Sequence, residues 1–276
     1  MKTLYMSDLD GTLLRSDKTI SDYSLNAINK SIENGALFSV ATARSFVSAH
    51  KFVEGLNINV PMVLMNGVFI YDKQKDEYLK YEKIDKKNIH HIVELFDKYK
   101  KGGRMFGFDG KRLIVYTVGD NLRNFAEDED LENEYRKVVY VDDFISHCDD
   151  YPVVSFVLID SFENLRDIFK DLRYNPEISP LFYQDIYHPE NYWLEIYSGN
   201  VNKANAVKYV KDYIKADKLT VFGDNINDLP MLEEADNAVC VHNAVSAAKK
   251  KANTLLSLTN DEDAVAKYMS KLFEVK

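Results

Sequence analysis

Asp8 and Asp10 stand two residues apart at the end of a short apolar run, Leu4-Tyr5-Met6, and are followed at once by Gly11 and Thr12. In an extended chain, residues i and i+2 point to the same side, so both carboxylates converge on one small charged object. Gly11 then lets the chain turn sharply, because glycine accepts positive φ at no steric cost. This arrangement suits a divalent cation and a phosphate held at the tip of a first strand. Its plain alternative is an acidic turn in water, which Asp and Gly favour on local grounds. Asp109-Gly110 illustrates that alternative: it sits between two alternating stretches, 104–108 and 111–117, and reads as a hairpin turn.

Further polar groups stand where later strands are expected to end. Thr42 follows a second apolar stretch, and Gly223-Asp224-Asn225-Ile226-Asn227-Asp228 follows a fourth. In open parallel sheets, ligands bind beyond the carboxyl ends of the strands, so these distant segments would meet at one edge. Hard oxygen donors such as Asp8 and Asp224 suit magnesium. Thr42 offers a hydroxyl, and the turn after it offers backbone N–H groups for phosphate oxygens. Taken singly, each residue has an ordinary reading. Asn227 and Asp228 precede Pro230 and fit a helix cap. Thr42 fits a strand end, and Lys203 fits a solvated first-turn lysine. The convergence is what makes them candidates.

The elements that must position these groups are legible as pattern. Residues 3–7 read as a strand. Residues 21–34 read as a helix, with Leu25, Ile28 and Ile32 at helical spacing, Ser21 as N-cap and Gly35 as stop. Residues 36–41 form a second strand, 45–55 a helix, and 62–65 a third strand, with 68–71 continuing extended. Strand–helix–strand–helix–strand is the signature of a parallel α/β sheet. The middle differs. Residues 86–101 form an amphipathic helix, a hairpin follows, and strands at 138–141 and 153–159 lead to a helix at 162–172. An aromatic run comes next: Phe182, Tyr183, Tyr187, Tyr192 and Trp193. This run reads as core, with closure over a ligand, aided by His188, as the alternative. Regularity returns with a helix at 203–214, a strand at 219–222, a short helix at 230–235, a strand at 238–241, and a helix–strand–helix close. The expected architecture is α/β, a Rossmann-like parallel sheet core at 1–84 and 196–276, with an inserted α+β cap domain at 85–195.

Composition narrows the partners. The 276 residues are 46% hydrophobic, enough for a sizeable core, and the formal net charge of −9 argues against a nonspecific hold on nucleic acid. An acidic enzyme handling anions needs local positive charge, which a metal and one lysine can supply. Cys148 and Cys240 show neither metal-ligand spacing nor a disulfide pattern. With no signal segment and no membrane-length apolar run, a cytoplasmic protein is expected, without membrane partner, as a monomer or small homo-oligomer.

Together, Asp8-Leu9-Asp10-Gly11-Thr12, Thr42, Lys203 and residues 223–228 resemble the four motifs of the haloacid-dehalogenase-like phosphatases. The order resembles the Cof-type branch, whose large α+β cap lies between the second and third motifs. The resemblance implies a phosphatase of small phosphorylated metabolites, sugar phosphates first, using Mg2+. It implies Asp8 as nucleophile and Asp10 as the acid and then the base. Thr42 and Lys203 would hold the phosphoryl group, with Asn227 reaching the phosphate side. Asp8, the backbone carbonyl of Asp10, and Asp224 would ligate the metal, and Asp228 would support the metal shell or Lys203. A phosphomutase or phosphotransferase with the same aspartyl-phosphate stays open, as does a non-catalytic receiver-like phospho-acceptor. Some positions depart from the family pattern: Ser198–Asn202 before the lysine, His242 ahead of Asn243, and Ala264, where relatives carry other residues.

Overall fold

The structure is a computed structural model, and it describes residues 1–119, 133–185 and 188–274. Tyr187 of the aromatic run lies outside them. The chain divides into two compact units, Met1–Lys80 with Asn202–Lys276, and Tyr81–Val201.

In the first unit, β1 (Thr3–Ser7) runs through the middle of a parallel sheet. It pairs with β2 (Leu37–Val40) on one side and with a late strand, Lys218–Gly223, on the other. Leu4 and Met6 are wholly buried. That fits a parallel strand covered on both faces, where an apolar run replaces strict alternation. The helix α1 (Asp22–Glu33) begins where Ser21 accepts a hydrogen bond from the Ser24 backbone N–H. It buries Ser24, Ala27, Ile28 and Ser31, one stripe at helical spacing. The helix α2 (Phe46–Val53) follows β2.

The third expected strand does not simply extend the parallel sheet. β3 (Met62–Leu64) turns at Met65–Gly67 into β4 (Phe69–Asp72), with which it pairs antiparallel. An unanticipated β5 (Glu77–Tyr81) completes a separate three-stranded sheet. A single parallel bridge, Ala41 to Val63, joins it to the strand carrying Val40. The stretch expected to be extended, 68–71, is extended from Phe69, but Asn66 takes φ 55 and reverses the chain before it.

Among the described residues, the second unit is a mixed sheet with two α-helices. In chain order it holds α3 (Lys86–Lys98), β6 (Gly103–Phe108), β7 (Leu113–Val118), β8 (Arg136–Tyr140), β9 (Val153–Asp160), α4 (Phe162–Leu172), β10 (Ile178–Gln184) and β11 (Tyr192–Ser198). The sheet order is β10-β11-β9-β6-β7-β8, antiparallel except between β7 and β8. At the β6–β7 hairpin, Asp109 Oδ1 accepts from the N–H groups of Lys111 and Arg112, as a turn aspartate does. Ile89, Ile92 and Phe96 of α3 and Leu165, Ile168 and Leu172 of α4 share one core with Met105, Phe156 and Ile196 of the sheet. In the aromatic run, Phe182 packs on Phe162, Phe169 and Tyr192.

The chain then re-enters the first unit through α5 (Lys203–Tyr213) and β12 (Lys218–Gly223). The helix α6 (Leu229–Glu234), β13 (Asn237–Cys240), α7 (Ser246–Lys249), β14 (Thr254–Leu255) and α8 (Ala264–Leu272) complete it. The parallel sheet is ordered β14-β13-β12-β1-β2. The strand order therefore reverses at β1, and the crevice beyond the carboxyl end of such a strand is where open α/β sheets bind ligands. Among the described residues, no helix is long and apolar enough to cross a membrane.

Candidate active site

Asp8 follows the last residue of β1, and its N–H still bonds to the Phe222 carbonyl of β12 at 3.0 Å. The strand ladder thus fixes its backbone. Its Oδ1 accepts from the Leu9 N–H at 2.8 Å and lies 2.8 Å from Lys203 Nζ. Oδ2 is the oxygen without those two bonds.

Lys203 is the first residue of α5, whose N-cap Asn202 accepts from the Asn205 N–H. Its ammonium is fully buried and also donates to Asp228 Oδ1 at 2.7 Å. The reading of Lys203 as a solvated lysine is therefore replaced: the side chain points inward, between two carboxylates. The second oxygen of Asp228 accepts from the N–H groups of Asp224 and Asn225 at 2.9 and 3.0 Å. Asp228 is thus the third-position acceptor of a turn capped by Asn225, not itself a side-chain cap for α6. Asp224 Oδ1 accepts from the Thr12 hydroxyl at 2.7 Å.

Three carboxylates here face one ammonium. Burial raises the pKa of Asp8 well above the carboxylate range; Asp228 adds to the rise and Lys203 opposes it. Burial and then the charge of Asp228 push Asp224 up to about 6. For Lys203, burial works against the charge, but Asp228 and Asp8 more than reverse it and hold the pKa above its ordinary value. The ammonium is therefore charged, and burial, together with the cluster's surplus of acidic groups over cations, lifts the Asp8 and Asp224 carboxyls.

That surplus fits a cation. One oxygen from each of Asp8, Asp224 and Asp228 lies within 4.8 Å of the others. Hard oxygens at this spacing suit Mg2+, which takes one or two carboxylates and keeps several waters. Both oxygens of Asp228 already have partners, so Asp8 and Asp224 are the better donors. Gly11 presses on the same place. Its φ is 74, and a Cβ there would fall 2.6 Å from Asp224 Oδ2.

Asp10 is turned elsewhere. A two-pronged pair joins it to Arg44, Nε to Oδ2 at 2.7 Å and Nη2 to Oδ1 at 2.6 Å. Arg44 in turn lies over the Phe52 ring at 4.5 Å. Thr42 is buried; its Oγ1 accepts from the Arg44 N–H at 3.1 Å, and its own N–H bonds to the Val63 carbonyl. Asn227 Nδ2 donates to Asn66 Oδ1 at 3.4 Å, so this residue meets the β3–β4 turn.

Sequence reasoning passed over four partners in this region: Arg44, Asn66, Asn243 and the role of Thr12. A basic residue two positions after Thr42, at a strand end of an acidic chain, was the available signal for Arg44. Asn243 carried no comparable mark beyond its place in a stretch already noted as unusual.

Comparison with known proteins follows the same outline. The family described as haloacid dehalogenase-like hydrolase matches residues 5–269. The 5-amino-6-(5-phospho-D-ribitylamino)uracil phosphatase YitU of Bacillus subtilis strain 168 is 27% identical, over 97% of this chain and 96% of its own. The pyridoxal phosphate phosphatase YbhA of Escherichia coli K12 is 24% identical, over 95% of each. A solved structure from Thermotoga maritima superposes with TM-score 0.78 at 24% identity, covering 98% of this chain and 97% of that one. A haloacid dehalogenase-like hydrolase structure from Bacteroides thetaiotaomicron gives 0.78 at 22% identity, covering 99% and 100%.

Proposed function

Because the chain belongs to the haloacid dehalogenase-like hydrolases and is a phosphatase of their Cof-type branch, acting on small phosphorylated metabolites, we propose that it hydrolyses phosphate monoesters of primary alcohols, sugar and sugar-alcohol phosphates first, with Mg2+. The substrate reading rests on two relatives whose named substrates, a phosphoribityl compound and pyridoxal phosphate, both carry phosphate on a primary alcohol. The observation that carries the mechanism is the bond from Lys203 to Asp8, at 2.8 Å and out of solvent.

Asp8 attacks phosphorus through Oδ2. The Oδ2–P bond forms as the bond from phosphorus to the substrate alkoxide breaks. Asp10, entering this step in its protonated form and still held through one oxygen by Arg44, gives that alkoxide its proton from the other. Asp10 then takes a proton from water, and the water oxygen displaces Asp8 from phosphorus. Lys203 holds Asp8 and the phosphoryl oxygens, and the Thr42 hydroxyl, its oxygen accepting from Arg44, has its proton available to donate. Asp228 keeps Lys203 in place. Asp8 and Asp224, with the Asp10 carbonyl, hold Mg2+, which supplies charge stabilisation for the transferring group. The inserted unit, 81–201, serves as the cap that selects the substrate.

The test is phosphate release across a panel of sugar, sugar-alcohol, nucleotide and pyridoxal phosphates with Mg2+. Turnover of primary-alcohol esters, lost in Asp8→Asn, is expected. Full activity in Asp8→Asn would sink the mechanism, and turnover confined to secondary-alcohol esters would sink the substrate class.

A further inference from the structure

The segment just after β13 does something the mechanism does not yet use. Asn243 Nδ2 donates to the Gly11 carbonyl at 2.7 Å, and its Oδ1 accepts from the Asn260 N–H at 3.0 Å. Asn260 is buried, and its own Nδ2 donates to the Leu14 carbonyl at 2.9 Å. Two carboxamides, one anchored on the other's backbone, therefore pin the carbonyls at both ends of residues 11–14. Two residues on, the Val245 N–H bonds to the Asp224 carbonyl at 2.8 Å. Residues 243–245 thus span the loop after β1 and the loop after β12.

We propose that Asn243 is a positioning residue for the cation site, acting on Asp224 through Gly11 and Thr12. Gly11 has no side chain to restrain the peptide that joins it to Thr12, so that peptide rotates freely unless something holds its oxygen. Asn243 holds it. Thr12 then stands where its hydroxyl donates to Asp224 Oδ1 at 2.7 Å, which sets the turn of that carboxylate. The Val245 N–H sets the Asp224 main chain from the other side. Side chain and backbone of Asp224 are both governed from one three-residue stretch. Groups that orient a metal ligand without touching the metal are worth about 10- to 100-fold in metal affinity.

The inference rests on the Mg2+ reading of the site, and the experiment separates the two. Full-length protein, stripped with EDTA and dialysed, is titrated with Mg2+ in a calorimeter as wild type, Asn243→Ala and Asn243→Asp. Unfolding temperatures in EDTA are measured alongside. Asn243 is exposed, and the Asp variant keeps its shape and its acceptor for Asn260 while losing the donor to Gly11. About a tenfold weaker Mg2+ affinity is expected in both variants. The added charge of Asn243→Asp would by itself tighten cation binding, so weakening there marks geometry. The rate deficit with p-nitrophenyl phosphate is expected to shrink as Mg2+ is raised. Wild-type Mg2+ affinity in both variants, or tighter binding in Asn243→Asp, overturns the proposal even if unfolding temperatures fall. Absence of Mg2+ binding by the wild type overturns the cation reading and this proposal with it.

Discussion

Lys203 Nζ lies 2.8 Å from Asp8 Oδ1, and neither side chain has meaningful access to water. An ion pair of this kind contributes little net stability, because both charges lose their hydration. Breaking one is another matter. Lys203→Met leaves Asp8 and Asp228 buried without their cation, and a loss of about 3–5 kcal/mol is expected in urea unfolding. Adding Asp228→Asn should return part of that loss, since the two groups touch and their effects do not add. Strict additivity would mean that the pair is not coupled as the distances imply.

Gly11→Ala tests the crowding against Asp224. The backbone φ of 74 and the 2.6 Å approach of the would-be Cβ to Asp224 Oδ2 leave no room for a methyl group. A destabilisation of more than about 1 kcal/mol is expected from the backbone alone. The Mg2+ response of the activity should go with it. A variant that melts like wild type and responds to Mg2+ normally would show that this loop yields easily.

Arg44→Ala separates the acid from the rest of the machinery. Proton transfer by a positioned acid contributes about 10²–10⁴-fold. A good leaving group such as p-nitrophenolate needs little of that help, while an alkyl phosphate needs all of it. If Arg44 delivers Asp10, its loss should slow alkyl phosphate hydrolysis at least about tenfold more than p-nitrophenyl phosphate hydrolysis. Equal losses on both esters would instead assign Arg44 to binding.

Asp236 carries a clear pH expectation away from the site. The Leu219 N–H at 2.8 Å, with Lys218 and Lys211, holds its pKa down to about 2. A depressed carboxylate stabilises the fold above its ordinary value near 4 and loses that contribution as pH falls toward 2. Asp236→Asn should therefore be less stable than wild type at pH 7, by about 1 kcal/mol for a partly exposed group. The gap in urea midpoints should narrow between pH 5 and pH 3. A gap that stays constant with pH would mean that the effect is not one of charge.

The readable parts of this chain were those written in contiguous residues. The Ser21 cap, the Asp109 turn and the turn at Gly11 depend on spacing and backbone preference, and their local geometry follows the pattern; the expected convergence of Asp8 and Asp10 does not, because β1 ends at Ser7 and Asp10 turns to Arg44. The two helices of the second unit, its first hairpin and the strands β8 and β9 were legible from periodicity in the same way, whereas β10 and β11 were read only as an aromatic run. The third strand was legible as a strand, but its pairing was not, because an apolar run such as 62–65 looks alike in a parallel or an antiparallel partner set, and Asn66 in a left-handed conformation decides between them. Nor was the pair of Asp10 and Arg44, which depends on where two side chains thirty-four positions apart are aimed. Asn243 reaching Gly11 across 232 positions is beyond any local rule.

The central place of β1 has a consequence for how the protein is made. Thr3 to Ser7 are synthesised more than two hundred positions ahead of one of their partners, residues 218–222. Pairings of such long sequence separation form slowly, because the intervening chain must be ordered before they are rewarded. A nascent chain therefore carries Asp8 well before it has either Lys203 or Asp224 to set beside it. On the proposed mechanism it stays chemically silent until Lys203 and Asp224 have been made and have joined Asp8.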